Sequence, residues 1–248
     1  ACMYFSLLGT RELSIRWDGV IWYSPTIFLS PFVHLLKFKS KCHSYLILRD
    51  IFPDWLLDMR LINKGAIYFF LKLAEKYQYS IADTVGVQTN GNLSYFSKRN
   101  NCASAQRIEV LHNWLGSLGT SISSIKLSNT PLKNRKIFIY TGNMGVAQGA
   151  GIFLELAKAL IEKNDIGFLF VGRGTEVDKL KKIATDNLLQ NVLFFDEVPP
   201  QELESIYQQC IVGLLSLDER HLSHNVPGKF LSYMRAGLPV LAVVNAGN

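Results

Sequence analysis

Short, unbroken apolar runs recur along this chain, each separated from the next by a stretch with helical spacing. The runs are GVIWY at 19–23, SYLIL at 44–48, residues 84–88, RIEVL at 107–111, RKIFIYTG from Arg135, GFLFV at 167–171, residues 192–195, residues 211–215 and LPVLAVV at 238–244. A strand with water on one face alternates apolar and polar residues; a strand covered on both faces does not. Connecting successive strands through helices makes them parallel. The expected fold class is therefore α/β, with parallel sheets covered by helices on both faces. Helices are expected from Thr26, with Pro31 as a kink or a restart, and at 55–61, 64–82, 92–100, 153–163, 176–186 and 201–209. Residues 1–16 are ambiguous.

A composition shift divides the series. GSLGTSISSIKLSNTPLK, from Gly116 to Lys133, is rich in Ser, Thr and Gly and reads as a linker. Residues 1–116 are then one partial domain, 117–134 an interdomain linker and 135–248 a second partial domain. Neither end reads as a natural terminus: the chain starts without Met and stops at Asn248, directly after an apolar strand. The expectation is a fragment, incomplete at both ends. No apolar run reaches the roughly 18 residues of a spanning helix.

The stretch 216–244, SLDERHLSHNVPGKFLSYMRAGLPVLAVV, passes from polar loop to short helix to apolar strand. Pro227 suits a helix start and Gly237 a helix stop. A loop feeding a helix N-terminus presents unpaired N–H groups and the positive end of the helix dipole to an anion. Lys229 lies in that first turn, where a cation is disfavoured. A bound diphosphate would account for it; a solvated lysine would as well.

Ligands of open parallel sheets gather at the carboxyl ends of the strands. In the second half these ends carry Gly142, Asn143 and Gly145; Gly172, Arg173 and Gly174; Asp196 and Glu197; and the loop before Lys229. Glycines there let backbone N–H groups approach phosphate oxygens, though simple turns use them too. The spacing of GNMGVAQG does not fit GxGxxG, and no acid follows the next strand. Arg173 suits a diphosphate by its planar guanidinium, or is an exposed surface arginine. In the first half the strand ends carry Ser24, Arg49, Asp50 and Asn113. RDIFPDW sets Asp50 and Asp54 around a proline turn, where a carboxylate can accept or orient a substrate hydroxyl or cap the next turn. His112 reads as a packed histidine. His221 and His224 share a loop with Glu219 but lack a third ligand at suitable spacing, so no metal site is read.

The net charge of +6, from 26 basic and 20 acidic residues, suits an acidic partner. The basic residues are scattered and no recognition helix or stacking motif occurs, so nucleic acid is not the expected one. Residues 28–41 combine Phe28, Phe32, Leu35, Leu36 and Phe38 with Lys37, Lys39 and Lys41. This stripe is either a core face with a solvated tail or a peripheral contact with an anionic membrane. Cys2, Cys42, Cys102 and Cys210 form no CxxC pair and read as thiols in a reducing compartment.

YTGNMG, FLFVGRG, VLFFDEVPPQELESIYQQC and NVPGKFLSYMRAGLPVLAV follow one another in order. As an ordered set they resemble the donor-binding domain of family 4 retaining glycosyltransferases, whose GT-B fold has two Rossmann-like domains. Upstream, SPTIFL, YLILRDIFPDW, ADTVGVQTNGNLSYF and VLHNW are similar to the WbuB-type branch of bacterial surface-polysaccharide transferases, which act on N-acetylated deoxyhexosamines. The resemblance runs from about Gly19 to Asn248. It implies a nucleotide-diphosphate sugar as donor substrate with no separate cofactor, retention of configuration, and a lipid-linked saccharide acceptor. It further implies a cytoplasmic enzyme at the inner face of the bacterial plasma membrane. The family's E-x7-E pair falls on His224 and Ser232, so neither glutamate is present, and an HN-x-PGK version with Asn225, Gly228 and Lys229 takes its place. The family's basic residue before the first donor-domain helix falls on Gln148. Implied donor contacts are Gly142, Asn143, Gly145, Arg173, Glu197, His224, Asn225, Gly228 and Lys229, and Asp50 with Arg49 would act on the acceptor. Rival readings of the same residues are a non-hydrolysing sugar-nucleotide epimerase and a nucleotide-sugar-binding fragment without turnover.

Overall fold

The computed structural model describes residues 11–24, 26–99, 106–116, 119, 121–220 and 226–245. They fall into two compact units. One is built from the chain up to His112 with a short piece ending at Val226. The other runs from Asn113 to Glu219 and resumes at Pro227.

The first unit contains β1 (Gly19–Tyr23), α1 (Ser30–Ser40), β2 (His43–Leu48), α2 (Asp54–Asp58), α3 (Ala66–Ile81), β3 (Thr84–Val87), α4 (Asn90–Arg99) and β4 (Arg107–Val110). Its sheet is all parallel, in the order β1-β2-β3-β4. Pro31 lies in the first turn of α1, behind a short 3-10 turn at Ile27–Leu29, so it restarts the helix and does not kink it. Trp22, Val33, Leu46, Leu48, Tyr79, Val85, Val87 and Phe96 form the core on one face of the sheet. The other face departs from the expectation of cover on both sides: Ile21 is 69% and Tyr23 50% exposed.

Helix α3 buries two polar side chains beside the apolar Tyr79 and Ile81. Glu75 and Gln78 are buried, while Ile67, Phe70 and Leu73 face out. The buried charges are matched. Lys72 forms an ion pair with Glu75 and another, at 3.2 Å, with Asp54. Tyr79 donates to Glu75 and Tyr68 to Asp54, each at 3.0 Å. Burial pushes the Glu75 carboxyl above its usual range, against the opposing pull of Lys72. Asp54, one of the two acids at the proline turn, is thus a structural ion-pair member.

The second unit contains β5 (Lys136–Thr141), α5 (Ile152–Ala159), β6 (Ile166–Val171), α6 (Val177–Asp186), β7 (Val192–Phe195), α7 (Leu203–Tyr207), β8 (Val212–Ser216), α8 (Gly228–Arg235) and β9 (Val240–Val243). These strands are also parallel, in the order β7-β6-β5-β8-β9. The order reverses at β5, whose neighbours are β6 on one side and β8 on the other. Such a switch opens a crevice beyond the strands' carboxyl ends.

Both faces of this sheet are buried. On one, Phe138 stacks on Phe168, Tyr140 on Phe170, and Phe170 on Phe194, with centroids 5.4, 5.8 and 4.9 Å apart. On the other, Ile137, Ile139, Leu169 and Val171 meet Ile206, Tyr207 and Tyr233. Residues 121–134, within the stretch read as a linker, are built into this second core. Ile125, Leu127 and Leu132 are buried there, and Gln209 accepts from Leu127 N–H and donates to Ile125 O. The strand expected at 238–244 forms, but as an edge: Leu241 and Val243 are 40% and 43% exposed, not buried. Cys42 and Cys210 are free buried thiols, and burial pushes Cys210 up to about 12; Cys2 and Cys102 lie outside the described residues.

Tyr233 locks α8 to the switch point. Its hydroxyl accepts from Thr141 N–H at 3.0 Å and lies 3.2 Å from the Ile139 and Leu214 carbonyls, joining the ends of β5 and β8. Tyr233→Phe leaves the buried Thr141 N–H without this partner. It should lower the unfolding free energy by about 1–3 kcal/mol, with the midpoint in urea moving and the slope unchanged.

Candidate functional site

Each unit gathers polar groups at its strand ends. In the first, Ser24 is 1% exposed and organises the turn after β2: its Oγ accepts from Arg49 N–H at 2.8 Å and from Asp50 N–H at 3.3 Å. Arg49 is itself buried. Its guanidinium donates to Leu111 O at 3.3 Å, and its carbonyl accepts from Gln88 Nε2 at 2.6 Å. Arg49 therefore ties the ends of β2, β3 and β4 together. That makes it a positioning residue for the half-buried Asp50 more than a group facing an acceptor. Gln88, which the sequence reading left out of the site, completes this scaffold and accepts from Val226 N–H at 3.0 Å. Its signal in the sequence is its place as the last, polar residue of the run at 84–88. Asn113 is half-buried at the end of this series, and His112, read as packed, is exposed.

In the second unit the glycines do something other than expected. Gly142 N–H donates to Val171 O at 2.9 Å, Met144 N–H to Arg173 O at 2.8 Å and Gly145 N–H to Gln148 Oε1 at 3.0 Å. Those N–H groups close the loop on itself and on the turn after β6, so they are not an open phosphate cradle. Gly172 and Gly174 make this possible. Their φ angles are +152° and +151°, and a Cβ on either would strike the backbone of Gly142 or Met144. Asn143 is exposed and donates to Gln148 Oε1 at 3.1 Å. Gln148, in the place of the family's basic residue, thus holds the loop's shape.

Arg173 and Glu197 are brought together. Arg173 Nε lies 2.9 Å from Glu197 Oε2, and the side chains are 80% and 53% exposed. The pair stands at the ends of β6 and β7, with exposed Asp196 beside it. Mutual attraction in water is weak, so Arg173 remains available to a stronger anion.

Lys229 is different. The loop after β8 is drawn to the loop after β5, with Ser216 Oγ donating to Gln148 O at 2.6 Å and Asp218 N–H to Ala147 O at 2.9 Å. At this switch point α8 begins, with Gly228 exposed at its first position. The Lys229 side chain turns inward and sets its Nζ 3.4 Å from the centre of the Tyr140 ring. The nitrogen is buried and has no hydrogen-bond partner among the described residues. Burial holds its pKa down to about 7. Tyr140, not anticipated from the sequence, forms the floor; its hydroxyl donates to Asn143 O at 2.9 Å. Ser232, one of the two positions that replace the family's glutamates, sets its Oγ 3.5 Å from the Gly228 carbonyl. His224 and Asn225 lie outside the described residues. The arrangement offers one inward amine, set over an aromatic ring, at a helix N-terminus.

The family described as Glycosyl transferases group 1 matches residues 135–248. WbjE of Pseudomonas aeruginosa, named as a probable glycosyltransferase, is 26% identical over 231 residues, covering 90% of this chain and 56% of that protein. WcaI of Escherichia coli K12, whose name places it as a glycosyl transferase of colanic acid biosynthesis, is 26% identical over 228 residues, covering 88% and 53%. The chain thus spans about half the length of these relatives. Among solved structures, HepE from Anabaena in complex with UDP and glucose superposes with a TM-score of 0.68 at 15% identity, covering 98% of this chain and 62% of that one. The chain therefore has a fold of the GT-B type, two parallel-sheet α/β domains, and its second unit carries the match to the group 1 glycosyl transferases.

Proposed function

We propose that this chain belongs to a retaining, family 4 type glycosyltransferase that moves a sugar from a nucleotide-diphosphate donor to a lipid-linked saccharide. The reading places it in surface polysaccharide synthesis, such as that of an O-antigen, on the cytoplasmic side of the plasma membrane. The donor sugar proposed is an N-acetylated deoxyhexosamine. The match of the second unit, the names of the two relatives and the fold support the transferase class. No described helix is long and apolar enough to cross a membrane.

The observation that carries the reading is the buried amine of Lys229 at the start of α8, which has no hydrogen-bond partner among the described residues. As the anomeric bond breaks, the leaving diphosphate gains negative charge. A fixed cation and a helix N-terminus aimed at that charge stabilise it more than they stabilise the bound donor. The exposed Arg173 would leave Glu197 for a diphosphate oxygen, a bidentate partner it matches well. In the first unit, Asp50, held by Ser24 and Arg49, would orient the acceptor hydroxyl. Residues 1–116 then serve the acceptor and 135–248 the donor.

Lys229→Met tests this. The variant keeps the stem's bulk and removes the charge. Isothermal titration with UDP-N-acetylglucosamine should show affinity reduced at least about tenfold, and transfer of labelled sugar to a lipid-saccharide extract should be lost. The melting temperature at neutral pH should hold or rise, because the buried cation is gone. Unchanged affinity would refute the assignment. Binding without transfer in the unaltered protein would favour the non-catalytic reading, and donor conversion without acceptor the epimerase.

The depressed pKa of Lys229 adds a pH dependence. Without ligand, the unfolded chain holds this proton up to the ordinary lysine range while the folded chain releases it near 7. Stability contributed by this site therefore rises with pH from about 7 towards about 10.4. A bound diphosphate favours the protonated form, so donor binding takes up a proton above pH 7. Affinity should fall as pH rises beyond that point, by at most about tenfold per unit, and the slope should vanish in Lys229→Met. Titrations in buffers of different ionisation enthalpy measure that uptake directly.

A further inference from the structure

The amino ends of β2 and β3 lie at the opposite edge of the first sheet from Asp50, and β2 alone is about 20 Å long. A cavity of about 1050 Å3 is found there, where the carboxyl ends of α1 and α3 meet the two strands. Its lining includes His34, Phe38, Lys39, Lys41, Tyr77 and Asp83. That volume is at the upper end of small-molecule sites and has room for more than one sugar ring. His34 Nδ1 and Tyr77 Oη are 2.6 Å apart and their ring centroids 5.8 Å, so the two rings hold each other in place. Phe38, one turn beyond His34 on the same side of α1, is 77% exposed. The cavity therefore presents aromatic rings to water, two of them fixed.

The charges of the lining do not cancel. Asp83 is its one carboxylate among the described residues, and it is already satisfied. Lys37 Nζ donates to its Oδ1 at 2.7 Å, and Ser44 N–H and Oγ donate to its Oδ2 at 2.9 and 2.7 Å. Lys37 is engaged in turn, since it also donates to Ile81 O at 3.0 Å. Asp18, exposed just before β1, is not part of the lining. Lys39 and Lys41 are left over. Lys39 Nζ reaches Leu13 O at 3.4 Å, and the exposed Lys41 side chain has no hydrogen bond or ion pair among the described residues. The dipole of α1 accounts for basic residues at its end, but not for an aromatic cavity beside them. Two helix ends also bring last-turn carbonyls that lack helical donors. An occupant must therefore offer negative charge to the lysines, hydroxyl donors to the carbonyls and an apolar ring face to Phe38 and Tyr77. A phosphate offers only the first, and its double charge would meet the negative ends of two helix dipoles. We propose that this cavity binds an acidic saccharide, one that carries uronate carboxylates. Its carboxylates pair with Lys39 and Lys41, and the C–H face of a sugar ring lies against Phe38. In a transferase of surface polysaccharide such a site would retain a growing acidic chain. That purpose rests on the proposed function; the binding itself does not, and its residues lie outside the donor site.

Isothermal titration with a hyaluronan tetrasaccharide, which alternates glucuronate with N-acetylglucosamine, tests it. Chitotetraose, of the same length and neutral, is the control. The acidic tetrasaccharide should bind with a Kd of about 1 mM or tighter, and more weakly as salt is raised. Chitotetraose should bind at least about fivefold more weakly. Lys39→Gln with Lys41→Gln should weaken binding of the acidic tetrasaccharide about fivefold, and Phe38→Ala by about the same factor. These side chains are exposed, so the circular dichroism spectrum should not change. Saturating UDP, or Lys229→Met, should leave the saccharide affinity as it is. No binding by the unaltered protein at millimolar saccharide, equal affinity for chitotetraose, or binding indifferent to both variants would overturn the proposal. So would displacement by UDP, since the saccharide would then occupy the donor side.

Discussion

The Tyr233 hydroxyl is the contact on which the donor-side geometry depends. It bridges the ends of β5 and β8 at the reversal of strand order, with Thr141 N–H at 3.0 Å and the Leu214 carbonyl at 3.2 Å. Its ring occupies the place a side chain on Gly213 would take. Tyr233 is thus fixed against the sheet and so is the face of α8 that bears it. Lys229 lies four residues earlier, one turn back on the same face. A lysine in that position is directed at the end of β5, where Tyr140 forms the floor. The inward ammonium therefore follows from the tyrosine anchor and does not depend on local helix preference, which opposes a cation in the first turn.

The parallel α/β architecture was legible because unbroken apolar runs admit few alternatives. The order of the runs within a sheet was not legible: β5 comes first in the second unit's series yet lies between β6 and β8. Glycine roles were also opaque. Gly172 and Gly174 have the look of a ligand loop, but their lack of a side chain serves the backbone of Gly142 and Met144, which approaches from the loop after the neighbouring strand. A one-dimensional pattern cannot show that approach. Periodicity likewise located the aromatic helix at 64–82 without showing that Glu75 and Gln78 would be buried beside Tyr79 and Ile81, with Lys72 paired to Glu75. The lysine at 229 was legible as an anomaly because it breaks the dipole rule. Tyr140, an ordinary strand residue, carried no such mark.

The two strand-end sites are made by different means. In the first unit, the buried Ser24 and Gln88 side chains bond to the backbone of Arg49, and Ser24 also accepts from Asp50 N–H, so that Asp50 is held through its backbone. In the second, the loop glycines and Gln148 satisfy each other, and the single inward cation is left over. Local rules are broken where a sequence has been shaped for something other than stability. By that measure the anomaly at Lys229 marks the donor side more sharply than the glycine loop does.

Lys229 and the outer face of α3 are opposite faults of the same kind, a charge withdrawn from water and an apolar surface left in it. For the lysine the energies point one way. A ring beneath an ammonium contributes about 2 kcal/mol when desolvated, whereas withdrawing the ion from water costs several kcal/mol even after relaxation. Tyr140 thus offsets part of the penalty and leaves a deficit, which is why the proton is held so loosely. An anion at the start of α8 would remove that deficit through both the ion pair and the helix dipole. The site is then poised at a cost to the free protein, and the energy released on filling it goes into holding the negative charge that the reaction creates.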